Sequence, residues 1–316
     1  MRNLLSIDLE DYFHFIGSIH SCPPSAWDRL DSHVCRMTET LLGTLGSHKA
    51  TFFCLGWVAQ KFPQLIRDVA AAGHKIASHG MYHEPVFRLG PHAFRQDAER
   101  CRKLLEDCCG LPVRAYRAPG FSVRPQDTWF FRAVRQAGYT VDSSLFPGLR
   151  SLGGIPGASP YPCVMEFPEG RLHEIPVSTS VILGIRTAFC GGGFFRILPY
   201  WYIQREIRRL NTQGHPAVVY LHPRDIDTGQ PRLKLEPVNA FLYHYGLKSA
   251  GVKWRQLMKE FTWMPFDDWM DESAGTAAGP YAPVKSAHPC AMPGNTPLTV
   301  MDRRLSKDYI PGTTGR

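Results

Sequence analysis

TFFCLGWVAQKFPQLIRDVAAAGHKIAS, residues 51–78, is the stretch from which the fold can be read. Residues 51–55 form a short β-like run. Val58, Phe62, Leu65, Ile66 and Val69 then recur at helical spacing, Gly73 stops that helix, and residues 74–78 are again strand-like. The result is a βαβ unit, and the rhythm continues on both sides. Upstream, residues 4–9 are a strand and Val34, Met37, Leu41 and Leu45 mark one helix face. Downstream, a helix through Phe94, Ala98, Cys101 and Leu105 ends at Gly110, and strands at 115–117 and 139–142 bracket a helix over 129–137. Such alternation implies a parallel sheet covered by helices, either open or closed into a barrel.

Farther along, residues 151–168 are rich in Gly and Pro and predict a long loop or rim insertion. A strand at 175–177, a helix opened by Pro199 and closed by Gly214, a strand at 217–221 and a helix over 252–261 complete a domain spanning 1–270. Residues 271–316 turn to Gly, Pro, Ala, Ser and Thr without periodicity, which predicts a disordered C-terminal tail.

Composition narrows the classes. At 316 residues and 44% hydrophobic content the chain can bury a substantial core. The net charge of +8 is spread along the sequence, and Arg205, Arg208 and Arg209 sit at helical spacing beside Glu206, the pattern of a solvated helix face. No nucleic-acid partner is therefore expected. Nine cysteines without a Cys-x-x-Cys pair point to a reducing compartment. The apolar stretch after Met1-Arg2-Asn3 is interrupted at once by Asp8 and Glu10, and no apolar run reaches transmembrane length. A cytoplasmic location is the resulting expectation.

The residues able to do chemistry fall just after the predicted strands, on the sheet edge where parallel α/β folds build their sites. His79-Gly80-Met81-Tyr82-His83 follows the third strand, and a helical turn there would put both imidazoles on one face, in reach of one ion. A divalent ion on two neutral histidines needs a carboxylate as well. Asp8-Leu9-Glu10-Asp11 offers three, and strand alternation places Asp8 and Glu10 on one side. Glu10 is the first choice as ligand and Asp11 the second. Arg117, before the stiff turn Ala118-Pro119-Gly120, has the fork geometry to clamp a carboxylate base. His222 ends an apolar strand before Pro223 and has the chemistry of a general acid. Phe121, Phe194, Phe195, Tyr200 and Trp201 are aromatics in the proposed rim that could line a ligand site, with Phe121 and Trp201 foremost.

Together, Ser6-Ile7-Asp8, Ser78-His79-Gly80-Met81-Tyr82-His83, Arg117-Ala118-Pro119-Gly120, Val141-Asp142-Ser143-Ser144 and Tyr220-Leu221-His222-Pro223 resemble the five ordered motifs of the NodB-type polysaccharide deacetylases, carbohydrate esterase family 4, over about residues 4–225. Two further stretches, 191–201 and 222–232, look like the branch found in bacterial exopolysaccharide loci of the exosortase type. The resemblance implies a distorted (β/α) barrel with fewer than eight regular units. It also implies a metal-activated water, with zinc the expected ion, acting on an N-acetylated carbohydrate in exopolysaccharide biosynthesis. Carried over, Asp8 is the base, His79 and His83 are metal ligands, His222 is the acid, Arg117 orients Asp8 and Asp142 positions His222. Two departures stand out: Leu9 follows Asp8 where the family has a second aspartate as ligand, and Arg224 stands where the branch commonly has Trp. Action on precursors at the inner membrane's cytoplasmic face, with peripheral association, would reconcile such a role with the N-terminus. The rivals are a related-fold hydrolase of another linear or cyclic amide, which predicts no stoichiometric ion, and a non-catalytic carbohydrate-binding protein.

Overall fold

The computed structural model describes residues 1–18, 22–274 and 283–284. Its strands are β1 (Arg2–Leu9), β2 (Thr51–Cys54), β3 (Lys75–Ser78), β4 (Ala115–Tyr116), β5 (Val141–Asp142), β6 (Cys163–Phe167), β7 (Gly170–Glu174), β8 (Thr179–Ile182), β9 (Ile185–Ala188), β10 (Val218–Leu221), β11 (Thr262–Met264) and β12 (Pro283–Val284). Its helices are α1 (Val34–Leu45), α2 (Gly56–Lys61), α3 (Pro63–Ala71), α4 (Val86–Cys109), α5 (Phe130–Gln136), α6 (Gly192–Ile197), α7 (Tyr200–Thr212), α8 (Pro237–His244), α9 (Leu247–Glu260) and α10 (Phe266–Ala274).

Strands β10, β1, β2, β3, β4, β5 and β7 lie side by side in that order, each parallel to the next. β6 folds back on β7 antiparallel, and β11 runs along the first residues of β1. Irregular chain bridges the side between β7 and β10. Ser178 N–H donates to the Val218 carbonyl at 3.3 Å, Val218 N–H donates to Ser178 Oγ at 2.8 Å, and Tyr220 N–H donates to the Cys190 carbonyl at 3.3 Å. The sheet thereby closes into a distorted (β/α) barrel, with non-strand chain taking the place of a regular unit.

Side-chain alternation sorts the strands between two cores. Leu5, Ile7 and Leu9 join Phe52, Cys54 and Ile76 under the outer helices. Leu4, Phe53, Ala77, Ala115, Val141, Ile175 and Val218 point into the barrel, where Phe266 and Met270 of α10 meet them. Burying those two side chains contributes roughly 1.5–3 kcal/mol each. Arg2, Lys75 and Arg114, at or just before strand starts, pair with Glu272, Asp268 and Asp271, so α10 plugs the N-terminal end of the barrel. The opposite, C-terminal mouth is left for chemistry.

Several sequence expectations need correction. The helix expected through Val58 and Val69 breaks at Phe62 (φ −130°, ψ 60°), because the ring of Pro63 bars its predecessor from helical geometry. Residues 151–168 contain β6, whose Cys163 and Met165 are buried against β7. The strand expected at 175–177 lies earlier, as β7. The tail boundary at 271 cuts through α10, whose apolar face holds it in the barrel; β12 also pairs with β6, and the remainder of that stretch lies outside the described residues. Among the described residues no helix is long and apolar enough to cross a membrane.

Candidate active site

Asp8 lies near the end of β1 and Glu10 just beyond it; His79 and His83 follow β3, Arg117 follows β4 and His222 follows β10. All converge on the C-terminal mouth. Glu10, His79 and His83 each present a ligand atom within 4.8 Å of the others, and all three are buried.

The loop between His79 and His83 is not helical. Gly80 (φ 75°) and His83 (φ 55°) both adopt left-handed backbone, and this turn, rather than helical spacing, brings the imidazole centroids to 5.1 Å. A non-glycine residue in that region is uncommon and costs backbone energy, a pattern typical of functional loops. His79 Nδ1 lies 2.8 Å from the Arg117 carbonyl, so its N–H donates there and its Nε2 lone pair is left free for an ion. Burial pushes the His79 pKa down to about 4, which keeps the ring neutral, as a ligand must be.

Burial alone would raise the Glu10 pKa, but His83, His222 and His79 around it hold it well below the ordinary carboxylate range. Its Oε2 lies 2.8 Å from His83 Nε2 yet off the hydrogen-bonding direction, and is a buried oxygen without a hydrogen-bond partner. An ionised carboxylate oxygen and two imidazole nitrogens crowded together without satisfying one another fit a divalent cation. Asp11 does not join them. Its carboxylate accepts from Tyr12 N–H, Ser32 Oγ–H, His33 N–H and Val34 N–H, anchoring the start of α1, so the second-choice ligand is already committed.

Arg117 is fully buried among Phe53, Phe121, Tyr220 and Phe266, its guanidinium carbon 4.0 Å from the centre of the Phe53 ring. Nη1 donates to Asp8 Oδ1 at 2.6 Å and to Ser6 Oγ at 2.9 Å, and Nη2 donates to Ser143 Oγ at 2.9 Å. One oxygen of Asp8 is thus tied down while the other, Oδ2, faces His222 Nε2 at 3.8 Å. The same Nε2 lies 3.6 Å from Glu10 Oε1.

The carboxylate that positions His222 is Asp225, not Asp142. Asp225 Oδ2 accepts from His222 Nδ1 at 2.8 Å and from its backbone N–H at 3.0 Å, and Asp225 Oδ1 lies 3.1 Å from Arg196 Nε. Burial by itself would lower the His222 pKa; the charge and hydrogen bond of Asp225, with Glu10, raise it above the ordinary value. Asp142 instead bonds Ser144, with Oδ1 accepting from its hydroxyl at 2.7 Å, and burial raises its pKa. It supports the loop that carries Ser143 to Arg117. Neither Asp225 nor Arg196 stood out in the sequence, although the i, i+3 spacing from His222 to Asp225 was visible there.

Of the two foremost aromatics, Phe121 is 3% exposed and packs on Tyr220 and Phe146, whereas Trp201 is 61% exposed on α7, against Tyr202. Arg224 is buried, stacked on Tyr243 at 4.3 Å, with Nε 4.0 Å from Glu10 Oε1.

Residues 28–141 match a family model described as polysaccharide deacetylase, and residues 143–271 match one described as a domain of unknown function, DUF3473. The first segment supplies His79, His83 and Arg117; the second supplies His222, Asp225 and Arg196. A chitooligosaccharide deacetylase of Sinorhizobium fredii is 39% identical over 85 residues, 26% of this chain and 40% of that one. A peptidoglycan-N-acetylglucosamine deacetylase of Bacillus cereus is 31% identical over 84 residues, 26% of this chain and 30% of that one. The chain thus spans less than half the length of either relative. Among solved structures, one described as a polysaccharide deacetylase from Mycobacterium smegmatis superposes with a TM-score of 0.58 at 21% identity, covering 92% of this chain and 96% of that one. A Puue allantoinase superposes with a TM-score of 0.53 at 17% identity, covering 78% and 74%. Both likenesses are of fold.

Proposed function

We propose a function from this premise: residues 28–141 belong to the NodB-type polysaccharide deacetylase family, carbohydrate esterase family 4. The protein is a metal-dependent hydrolase that removes N-acetyl groups from an amino-sugar polysaccharide or its precursor. The observation that carries this reading is the convergence of Glu10, His79 and His83 on one point, with His222 Nε2 within 4 Å of both Asp8 and Glu10.

A divalent ion held by Glu10, His79 and His83, with zinc expected, would polarise the acetamide carbonyl and acidify the attacking water. Asp8, with one oxygen pinned by Arg117, accepts the proton of that water at Oδ2. His222, whose Nδ1–H is held by Asp225, keeps a proton on Nε2 and donates it to the amide nitrogen as the C–N bond breaks. Acetate leaves and the sugar keeps a free amine. The anion that builds up on the acetyl oxygen would be stabilised by the ion in a buried mouth, where fixed charges act most strongly.

An exopolysaccharide role belongs to the same reading and is supported by the stretches 191–201 and 222–232, which build the His222 wall of the site through Arg196 and Asp225. Acetate release from N-acetylated chitooligosaccharides and from lipid-linked N-acetylated precursors, with added zinc, is the test. Asp8→Asn and His222→Ala should each lower the rate by roughly a hundred- to ten-thousand-fold while the fold persists. Near-full activity in either variant rejects its assigned role. No acetate from any N-acetylated glycan with the unmodified protein rejects the function.

A further inference from the structure

The β8–β9 hairpin stands outside the barrel sheet as a two-stranded unit of its own. Its tip carries Val181, Leu183 and Ile185, exposed by 56%, 97% and 65%. Residues paired across an antiparallel ladder share a face, and successive pairs alternate between faces. Here Ile182 pairs with Ile185 and Val181 with Arg186, so aliphatic side chains stand on both faces, and Leu183, in left-handed backbone at φ 50°, forms the apex. A protein partner docking on this element would cover one face. A tip that is apolar all round suits immersion in a surrounding apolar medium.

Charge points the same way. From residue 175 to residue 205 the sequence holds no Asp or Glu, nor does it from 143 to 165. The second of these segments lies against the hairpin: a Cβ placed on Gly148 would be 2.7 Å from the Arg186 carbonyl, and the neighbouring Leu149 is 73% exposed. On another side, Tyr202 Oη bonds Ser180 Oγ at 3.2 Å and brings up the start of α7, with exposed Trp201 and with Arg205 and Arg208. Those two arginines have Glu206 and Glu260 as salt-bridge neighbours, at 3.2 and 3.9 Å, but their side chains remain 65% and 64% exposed. Exposed aliphatics, a tryptophan and arginines beside two segments without acidic residues are the composition of an interfacial membrane anchor.

We propose that the β8–β9 hairpin, flanked by Leu149 and Trp201, inserts into the headgroup region of an anionic phospholipid membrane. The chain after β9 runs directly into the wall of the site: Cys190 bonds β10, and a Cβ on Gly192 would lie 3.4 Å from His222 Cε1. Docking at the hairpin therefore brings the catalytic mouth towards the bilayer. If the function above holds, its substrate class is an amino sugar carried on a lipid.

The experiment is flotation of the full chain with vesicles of phosphatidylcholine and phosphatidylglycerol, and with vesicles of phosphatidylcholine alone. It reads binding without turnover, so its outcome is independent of the deacetylase assignment. The unmodified protein should float with the anionic vesicles and not with the neutral ones. The double variant Leu183→Asn, Ile185→Asn, altered only at exposed positions, should lose about tenfold or more of that partition. Failure of the unmodified protein to float with anionic vesicles overturns the proposal, as does unchanged flotation of the variant. Sedimentation showing a dimer that the double variant converts to a monomer also overturns it, because the tip would then be covered by a second copy.

Discussion

Asp225 receives the Nδ1–H of His222 at 2.8 Å, and its other oxygen is held by Arg196 at 3.1 Å. The imidazole is therefore aimed with Nε2 towards Asp8 and Glu10, in the tautomer or charge state that has a proton on Nδ1. Buried between these cations, Asp225 is held far below the usual carboxylate range, so it stays ionised throughout the working pH range.

Asp225→Asn keeps the shape and removes the charge. Because Asp225 is the foremost influence raising the His222 pKa against burial, its loss lowers that pKa. An acid that must be protonated then fails at lower pH, so the alkaline limb of kcat against pH should move to lower pH, and the plateau should fall by roughly a hundred-fold. A pH–rate profile that keeps its alkaline limb in place rejects this role.

Glu10 and Asp11 should separate cleanly. Glu10→Ala, like His79→Ala or His83→Ala, should abolish stoichiometric metal in elemental analysis of protein purified without chelator. Asp11→Ala should retain the metal and lose roughly 1–2 kcal/mol of stability in urea unfolding, since it anchors the start of α1. Metal loss in Asp11→Ala with retention in Glu10→Ala would reverse the assignment.

Arg117 and Asp8 form an ion pair with both side chains out of water. Replacing Arg117 by Met strands the Asp8 charge, and breaking such a pair costs about 3–5 kcal/mol. Denaturant midpoints should show that loss, accompanied by near-complete loss of turnover. A variant as stable as the parent would mean that Asp8 has another partner.

For the aromatics, Phe121→Ala should destabilise by roughly 3–5 kcal/mol, because the ring is buried in a cluster with Phe146, Val177, Ala188 and Tyr220. Trp201→Ala should leave kcat on short, soluble oligosaccharides within about twofold, since its ring is largely exposed and packs on Tyr202. A large loss of kcat for Trp201→Ala would place it at the sugar after all.

Asp8, His79, His83, Arg117 and His222 were legible because each stands at or just past the end of a strand, and a parallel barrel gathers those strand ends at one mouth. Glu10 was legible by alternation. The readings that failed needed knowledge of three-dimensional neighbours: that Asp11 is spent on the backbone of α1, that Asp142 faces Ser144, and that Arg196 reaches Asp225 from a different helix. The same holds for α10, whose polar composition masked Phe266 and Met270 as a plug, and for β6, hidden in a stretch rich in Gly and Pro. Two local signals do lie in the sequence: Pro63, which splits a helix, and the i, i+3 spacing from His222 to Asp225.

The central claim is that an ion at Glu10, His79 and His83 works with Asp8 and His222 to cleave an N-acetyl group. Titrating zinc into chelator-stripped protein while monitoring acetate release from an N-acetylated chitooligosaccharide tests it most directly. Release should be negligible without metal and should recover to a plateau as one ion binds per chain. Full release in the presence of chelator would contradict it.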